Sequence, residues 1–179
     1  MAEIKDFATI EGVQLVKFVP WADTRGVFTE TFRKEWFPQR DWERVQMNVS
    51  RSSKGCVRGM HYHHHQVDFW IFIQGEFRVG LYDLRPSSST SGKSATIDLS
   101  HEDHTGVYIP QGVAHGFSAR SDVIMSYLVD NYYDNTDELS LAWDDPDIGI
   151  DWGVEVPKTS ERDTTSPRLK DIPKDQLPK

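Results

Sequence analysis

The 179-residue chain is predicted to fold as a single mainly β domain, a sandwich or small barrel with few short helices. Three observations lead there. Apolar runs are short and return every ~8–12 residues. Several alternate apolar with polar side chains, the two-residue period of a strand with one face covered. Clusters of Gly, Pro, Asp and Ser separate the runs, as turns would.

Gly12–Val19 reads as the first strand and ends at Pro20. Asp23-Thr24-Arg25-Gly26 is a turn, and a strand follows over Val27–Phe32. Arg33–Trp42 holds the one helix candidate, interrupted by Pro38, which has no N–H to continue it. Strands follow over Val45–Arg51 and Val57–Tyr62. Val67–Ile73 is nearly continuous in apolar residues, broken by Asp68, as a strand covered on both faces would be. After a turn at Gln74-Gly75, Phe77, Val79 and Leu81 alternate with Arg78, Gly80 and Tyr82, the pattern of a half-buried strand. Ser87–Gly92 is a polar loop. Ala95–Leu99, Gly106–Ile109, Ala114–Ala119 and Val123–Val129 complete the strands. From about residue 153 the chain is rich in Pro, Lys, Asp and Ser and reads as an irregular, solvated tail of the same domain, which takes in all of 1–179.

Composition narrows the function. A chain that is 37% hydrophobic and 27% charged suits one globular core. Its net charge of −8 argues against nucleic acid, whose phosphates need a basic face. A small phosphorylated ligand held by a few arginines stays open. Six Trp, six Tyr and nine Phe suit a pocket for a flat or ring-shaped ligand. Cys56 is the sole cysteine, so an intrachain disulfide and a paired-cysteine zinc site are both excluded. The opening MAEIKDFATI is no apolar leader, and no run reaches ~18 apolar residues. A cytoplasmic protein without a membrane partner is expected.

His61, His63, His64 and His65 stand together in HYHHH. On a strand, His61, His63 and His65 would share a face. The spacing of Gly55, His61, His63, Asp68 and Gly75 resembles the first motif of the cupin barrels, with Asp where Glu is usual. Pro110-Gln111-Gly112-Val113-Ala114-His115 resembles the core of the second, although Ala119 stands where that motif has Asn. Facing strands would then gather His61, His63, Asp68 and His115, a donor set competent for Fe, Mn, Ni or Zn. The same histidines would serve without metal as acid/base groups or polar lining.

A wider set of segments matches one branch of those barrels. They are Asp23 to Glu30 (DTRGVFTE), Val57 to Tyr62 (VRGMHY), Asp83-Leu84-Arg85, Ile109 to Phe117 (IPQGVAHGF), Tyr132-Tyr133, Trp143 to Trp152 (WDDPDIGIDW) and Ser160 to Asp163 (SERD). Together, from about Gly12 to Pro167, they resemble the dTDP-4-dehydrorhamnose 3,5-epimerase family. The resemblance implies a cupin jelly-roll barrel (double-stranded β-helix), a homodimer, and no metal or other cofactor. It implies an epimerase acting on a nucleotide-linked 4-keto-6-deoxyhexose, with dTDP as the carrier. A carbon beside a ketone is a weak acid, so such a site needs a positioned base, a donor or cation for the enolate oxygen, and an acid on the other face.

Position by position, His61 resembles the family's base and Asp163 the carboxylate that orients it. Tyr127 falls at the proton donor, and His115 at a pocket histidine. Arg25 and Arg58 match the arginines on the diphosphate, where a guanidinium fork fits, and Arg162 a basic residue near the phosphates. Tyr132 matches an aromatic at the nucleobase. Glu30, Gln46, Asn48 and Glu138 match polar contacts to nucleotide or sugar. The pattern breaks in one place that matters. The family carries a lysine seven residues before the glycine matching Gly75, and this chain has Asp68 there. The stretch from His61 to Gly75 is also about three residues shorter than usual. Met47 replaces an acidic residue between the positions of Gln46 and Asn48. A protonated histidine from His63 to His65 would compensate for the lysine, as would a metal. A metal-dependent cupin oxygenase or isomerase and a noncatalytic sugar-nucleotide binder are the other readings.

Overall fold

The computed structural model describes residues 2–179. Its strands are β1 (Glu3–Asp6), β2 (Gln14–Lys17), β3 (Pro20–Asp23), β4 (Gly26–Thr29), β5 (Gln46–Ser52), β6 (Val57–Tyr62), β7 (Asp68–Gln74), β8 (Glu76–Asp83), β9 (Ser94–Ser100), β10 (Thr105–Ile109), β11 (Val113–Ala119), β12 (Val123–Val129) and β13 (Leu139–Ser140). One sheet has the order β1-β2-β10-β7-β12-β5 and the other β13-β6-β11-β8-β9. Hairpin β3–β4 stands apart from both. Every strand pairing is antiparallel. The two sheets close on each other as a jelly roll, the mainly β class expected.

The two-residue period sorts side chains onto faces. Trp70 and Phe72 of β7, Val107 and Ile109 of β10 and Met125 of β12 meet Phe77, Val79 and Leu81 of β8 and Val113 and Phe117 of β11 in one buried cluster. That cluster fills the space between the sheets. Phe69 and Ile71 point the other way, into a second cluster with Phe18, Phe37 and Trp42. So β7 is covered on both faces, as its continuous apolar run predicts. The Arg33–Trp42 segment covers it, but as one turn of 3-10 helix at Lys34–Trp36, because Pro38 stops any longer helix.

β8 differs from expectation. Gly80 and Tyr82 are buried as well as Phe77, Val79 and Leu81. The second face lies under Leu141, Ile148, Trp152 and Ile172, which cover the outside of the five-stranded sheet. A Cβ on Gly80 would come within 2.5 Å of the Trp152 ring, so glycine here is the condition for close packing. Trp152 is held by its indole N–H, which donates to the Trp143 carbonyl at 2.7 Å, and by its own carbonyl, which accepts from the Ser118 hydroxyl at 2.6 Å.

The C-terminal segment is therefore a covering layer and not a solvated tail throughout. Val57 N–H donates to the Lys158 carbonyl at 3.0 Å, and Lys158 N–H to the Gly55 carbonyl at 2.9 Å. A single helical turn, α1 (Glu161–Thr164), follows, with the Ser160 hydroxyl accepting from Asp163 N–H at 3.1 Å as its N-cap. Apolar residues are too sparse in this segment to make a period, yet Leu169, Ile172 and Leu177 pack into the cluster on the outside of the five-stranded sheet. Strand β1 and the pairing of β3 from Pro20 also lie outside the sequence reading.

Replacing Gly80 by alanine is expected to lower unfolding free energy by about 1–3 kcal/mol, as overpacking does. Urea denaturation measures it, and limited proteolysis should show residues 141–172 loosened first. Unchanged stability and cleavage would show that Trp152 does not press on β8.

Candidate active site

At one end of the barrel the inner face changes from apolar to polar. There a cavity of about 380 Å³ opens between the sheets. The five-stranded sheet contributes His61 from β6 and His115 from β11, which are direct register partners. The six-stranded sheet contributes Asp68 and Trp70 from β7 and Tyr127 from β12. Glu138, Arg162 and Asp163 close the rim from the C-terminal side.

His61 is the best-defined group. Its Nε2 lies 2.9 Å from Asp163 Oδ1. The other oxygen of that carboxylate accepts from Gly59 N–H at 3.3 Å. Asp163 is only 4% exposed. Burial alone would push its carboxyl up, but the His61 hydrogen bond and charge, the Gly59 N–H and Ser160 together hold it below the usual carboxylate range. An ionised Asp163 makes Nε2 the protonated nitrogen of a neutral His61. The second nitrogen, Nδ1, then keeps its lone pair. Glu138 Oε1 stands 3.7 Å from Nδ1, so an imidazolium formed there would have a carboxyl group at each of its nitrogens.

Tyr127 faces the cavity from the opposite sheet. Burial raises its phenol pKa, the charges of Asp68 and Glu138 add to the rise, and Arg58 opposes it. The phenol is thus a proton donor and not a base at neutral pH. His115 is pushed down to about 4, chiefly by burial, although Asp68 pulls the other way. Its Nδ1–H donates to the Val113 carbonyl at 2.9 Å. His63 Nδ1–H donates to the Asp137 carbonyl at 2.8 Å.

The expected site residues divide into two groups. His61, His115, Arg58, Tyr127, Glu138, Arg162 and Asp163 line the one cavity. Arg162 is paired with Glu138 at 3.3 Å, and the Arg58 guanidinium donates to the Ser52 hydroxyl at 2.8 Å. Arg25, Glu30, Gln46, Asn48 and Tyr132 lie outside that lining. Arg25 is on the projecting β3–β4 hairpin, paired with Asp23, and Glu30 pairs with Arg33. Gln46 donates to Asn48 Oδ1 at 3.0 Å on β5. Of the neighbouring pair Tyr132 and Tyr133, it is Tyr133 that reaches the cavity.

His65 does not share the face of His61 and His63. β6 ends at Tyr62, and His65 is exposed in the following turn. Asp137 bends that turn by accepting from His64 N–H at 2.6 Å and His65 N–H at 3.0 Å. Gln66, Trp70, Asp137 and Tyr133 were not legible as site residues. Only their closeness in sequence to His63 and Asp68, to Tyr132, or to Glu138 points to them.

The chain matches the family model described as dTDP-4-dehydrorhamnose 3,5-epimerase over residues 8–171. It is 36% identical over 162 residues to the dTDP-4-dehydrorhamnose 3,5-epimerase of Methanothermobacter thermautotrophicus, covering 87% of this chain and 88% of that one. It is 32% identical to a dTDP-4-dehydro-6-deoxyglucose 3-epimerase of a Streptomyces species, covering 90% and 86%. The crystal structure of the Legionella pneumophila dTDP-6-deoxy-D-glucose-3,5-epimerase in complex with dTDP-4-keto-L-rhamnose superposes with a TM-score of 0.92 at 30% identity, over 100% of this chain and 98% of that one.

The depressed Asp163 carboxyl has a consequence for stability. Its contribution is fully present above the ordinary value of 3.8 and is lost as pH falls through the lower folded value. Wild type should therefore exceed Asp163→Asn in urea stability at about pH 7, with the gap closing as acid protonates the folded carboxyl. A gap that stays constant through that range would contradict the ionised His61–Asp163 pair.

Proposed function

Because the chain belongs to the dTDP-4-dehydrorhamnose 3,5-epimerase family, we propose that it epimerises a dTDP-linked 4-keto-6-deoxyhexose at a carbon beside the C4 ketone. The observation that supports this most is the placement of a base and an acid on opposite walls of one cavity. His61 belongs to the five-stranded sheet and Tyr127 to the six-stranded one. A sugar ring between them offers one face to each.

Nδ1 of His61 removes the proton from C3 or C5, and the carbon's electron pair moves toward the C4 oxygen. Asp163 keeps the Nε2 proton and stabilises the imidazolium that forms, as does Glu138. Tyr127 gives its phenolic proton to the other face of the carbon, inverting it. Solvent then restores Tyr127 and relieves His61. Arg58 and Arg162, at the cavity rim, are the cations for the diphosphate.

The protein works as a single domain in the cytoplasm, and among the described residues no helix is long and apolar enough to cross a membrane. It is a homodimer. Support comes from the hairpin, where Trp21, Val27 and Phe28 are 64%, 62% and 71% exposed, and from Met47 and Val49, exposed on the edge strand β5. An apolar edge of this kind is ready for pairing. Pairing through it would carry Arg25 and Glu30 toward the neighbouring cavity. Sedimentation as a monomer at micromolar concentration would remove the dimer from the account.

The catalytic reading is tested in heavy water with dTDP-4-keto-6-deoxyglucose, following the C3 and C5 protons by NMR. Exchange at one or both carbons is expected, and it identifies the centre. His61→Ala should slow exchange ~100- to 10,000-fold. Tyr127→Phe should keep exchange on the His61 side and lose inversion. No exchange with a substrate shown to bind would overturn the proposal.

A further inference from the structure

Behind His61 the cavity wall holds three polar groups that the proton transfers do not use. His63, Asp68 and His115 are each at most 5% exposed. Nε2 of His63 is 3.7 Å from Asp68 Oδ1, and Nε2 of His115 is 3.8 Å from Asp68 Oδ2. One donor atom from each of the three lies within 4.8 Å of the others.

The protons of this cluster are already placed. His115 Nδ1–H is given to the Val113 carbonyl and His63 Nδ1–H to the Asp137 carbonyl. In the neutral rings both Nε2 atoms are therefore lone pairs, and both point at a carboxylate. Asp68 takes one N–H on each oxygen, from the Gln66 amide and from the Trp70 indole, both at 3.1 Å. The same Gln66 amide makes a long 3.4 Å contact with His63 Nε2. Those donors are neutral. Among the described residues no lysine or arginine pairs with Asp68. Three buried donor groups thus converge on one point with no cationic side chain among them, and buried polar groups of this kind call for a partner.

We propose that His63, Asp68 and His115 form a site for one divalent first-row transition metal ion beside the His61–Asp163 pair. Two imidazoles and one carboxylate are a donor set that such ions take with positions left open. Donors ~2.0–2.2 Å from an ion need only a small inward closure of the present triangle. The backbone carbonyls on both Nδ1–H groups supply the outer partners that fix ring orientation in metal sites. His61 is not a ligand, because its Nε2 is held by Asp163 and its Nδ1 faces Glu138. Resting on the epimerase reading, the ion's chemistry at this wall is to take up negative charge developing on a substrate carbonyl oxygen.

The test uses the full chain, stripped with chelator and titrated with Zn(II) by calorimetry and with Co(II) by visible absorption. About one ion per chain should bind, with a Co(II) ligand-field spectrum. Asp68→Asn, His63→Gln and His115→Gln should each weaken binding at least ~100-fold, beyond the ~10–100-fold that outer partners cost. His61→Asn should bind as wild type does. Circular dichroism of every variant shows whether it folds, and the conservative Asp68→Glu should keep the Co(II) signal. No binding to folded wild type overturns the site, as does binding that survives all three substitutions. Equal loss in His61→Asn overturns the three-residue ligand set. Carbon-bound proton exchange by the stripped protein separates the two ideas: exchange without metal binding removes the ion and leaves the epimerase.

Discussion

The arrangement depends on one contact, the hydrogen bond between His61 Nε2 and the buried Asp163 carboxylate. A carboxylate this deep is tolerable only while its partners stay in place. Those partners come from both ends of the chain's long return path: Gly59 and His61 from β6, Ser160 from the turn that carries Asp163. The C-terminal layer must therefore lie over the five-stranded sheet before the His61 ring is oriented. Trp152 seats that layer, and it can do so because Gly80 and Gly116 leave room for its ring. Stability of a surface layer and chemistry of the pocket are thus one problem in this fold.

The two-sheet architecture settles the rest. Its inner face is apolar through Phe77, Leu81 and Phe117 and becomes polar only where His61, His115, Asp68 and Tyr127 project. The change of polarity occurs without a change of strand parity, so an imidazole and a phenol come to face each other across the cavity from ordinary β geometry. The same wall explains why Asp68 stands out. It lies one pleat from Trp70 on the inner face and is buried without a lysine or arginine, whereas Asp163 has its histidine and Asp83 has Arg85 at 2.8 Å.

The strands that carry the site were legible because their apolar runs are long enough to show a period. Val57–Tyr62 and Val123–Val129 agree with β6 and β12 at both ends. The jelly-roll class and the family followed from motifs spread along the chain, and the family model and relatives agree. The C-terminal layer was not legible, since its contacts are single residues separated by polar turns. β8 looked half-buried for the same reason: nothing local to Gly80 announces Trp152, 72 positions later. His65 departed from the face of His61 because Asp137, far along the chain, bends the backbone after Tyr62. Arg25 and Glu30 matched by motif, yet the hairpin holds them away from their own cavity.

The most direct measurement is the tautomer of His61, read by long-range proton–nitrogen NMR at about pH 8.5, well above the ~6.5 of an ordinary imidazole. A proton is expected on Nε2, shifted to low field by Asp163, with Nδ1 unprotonated and free to act on substrate. Asp163→Asn should abolish the low-field signal. A proton on Nδ1 in the wild type, or a spectrum indifferent to Asp163→Asn, would contradict the claim that this pair sets the base.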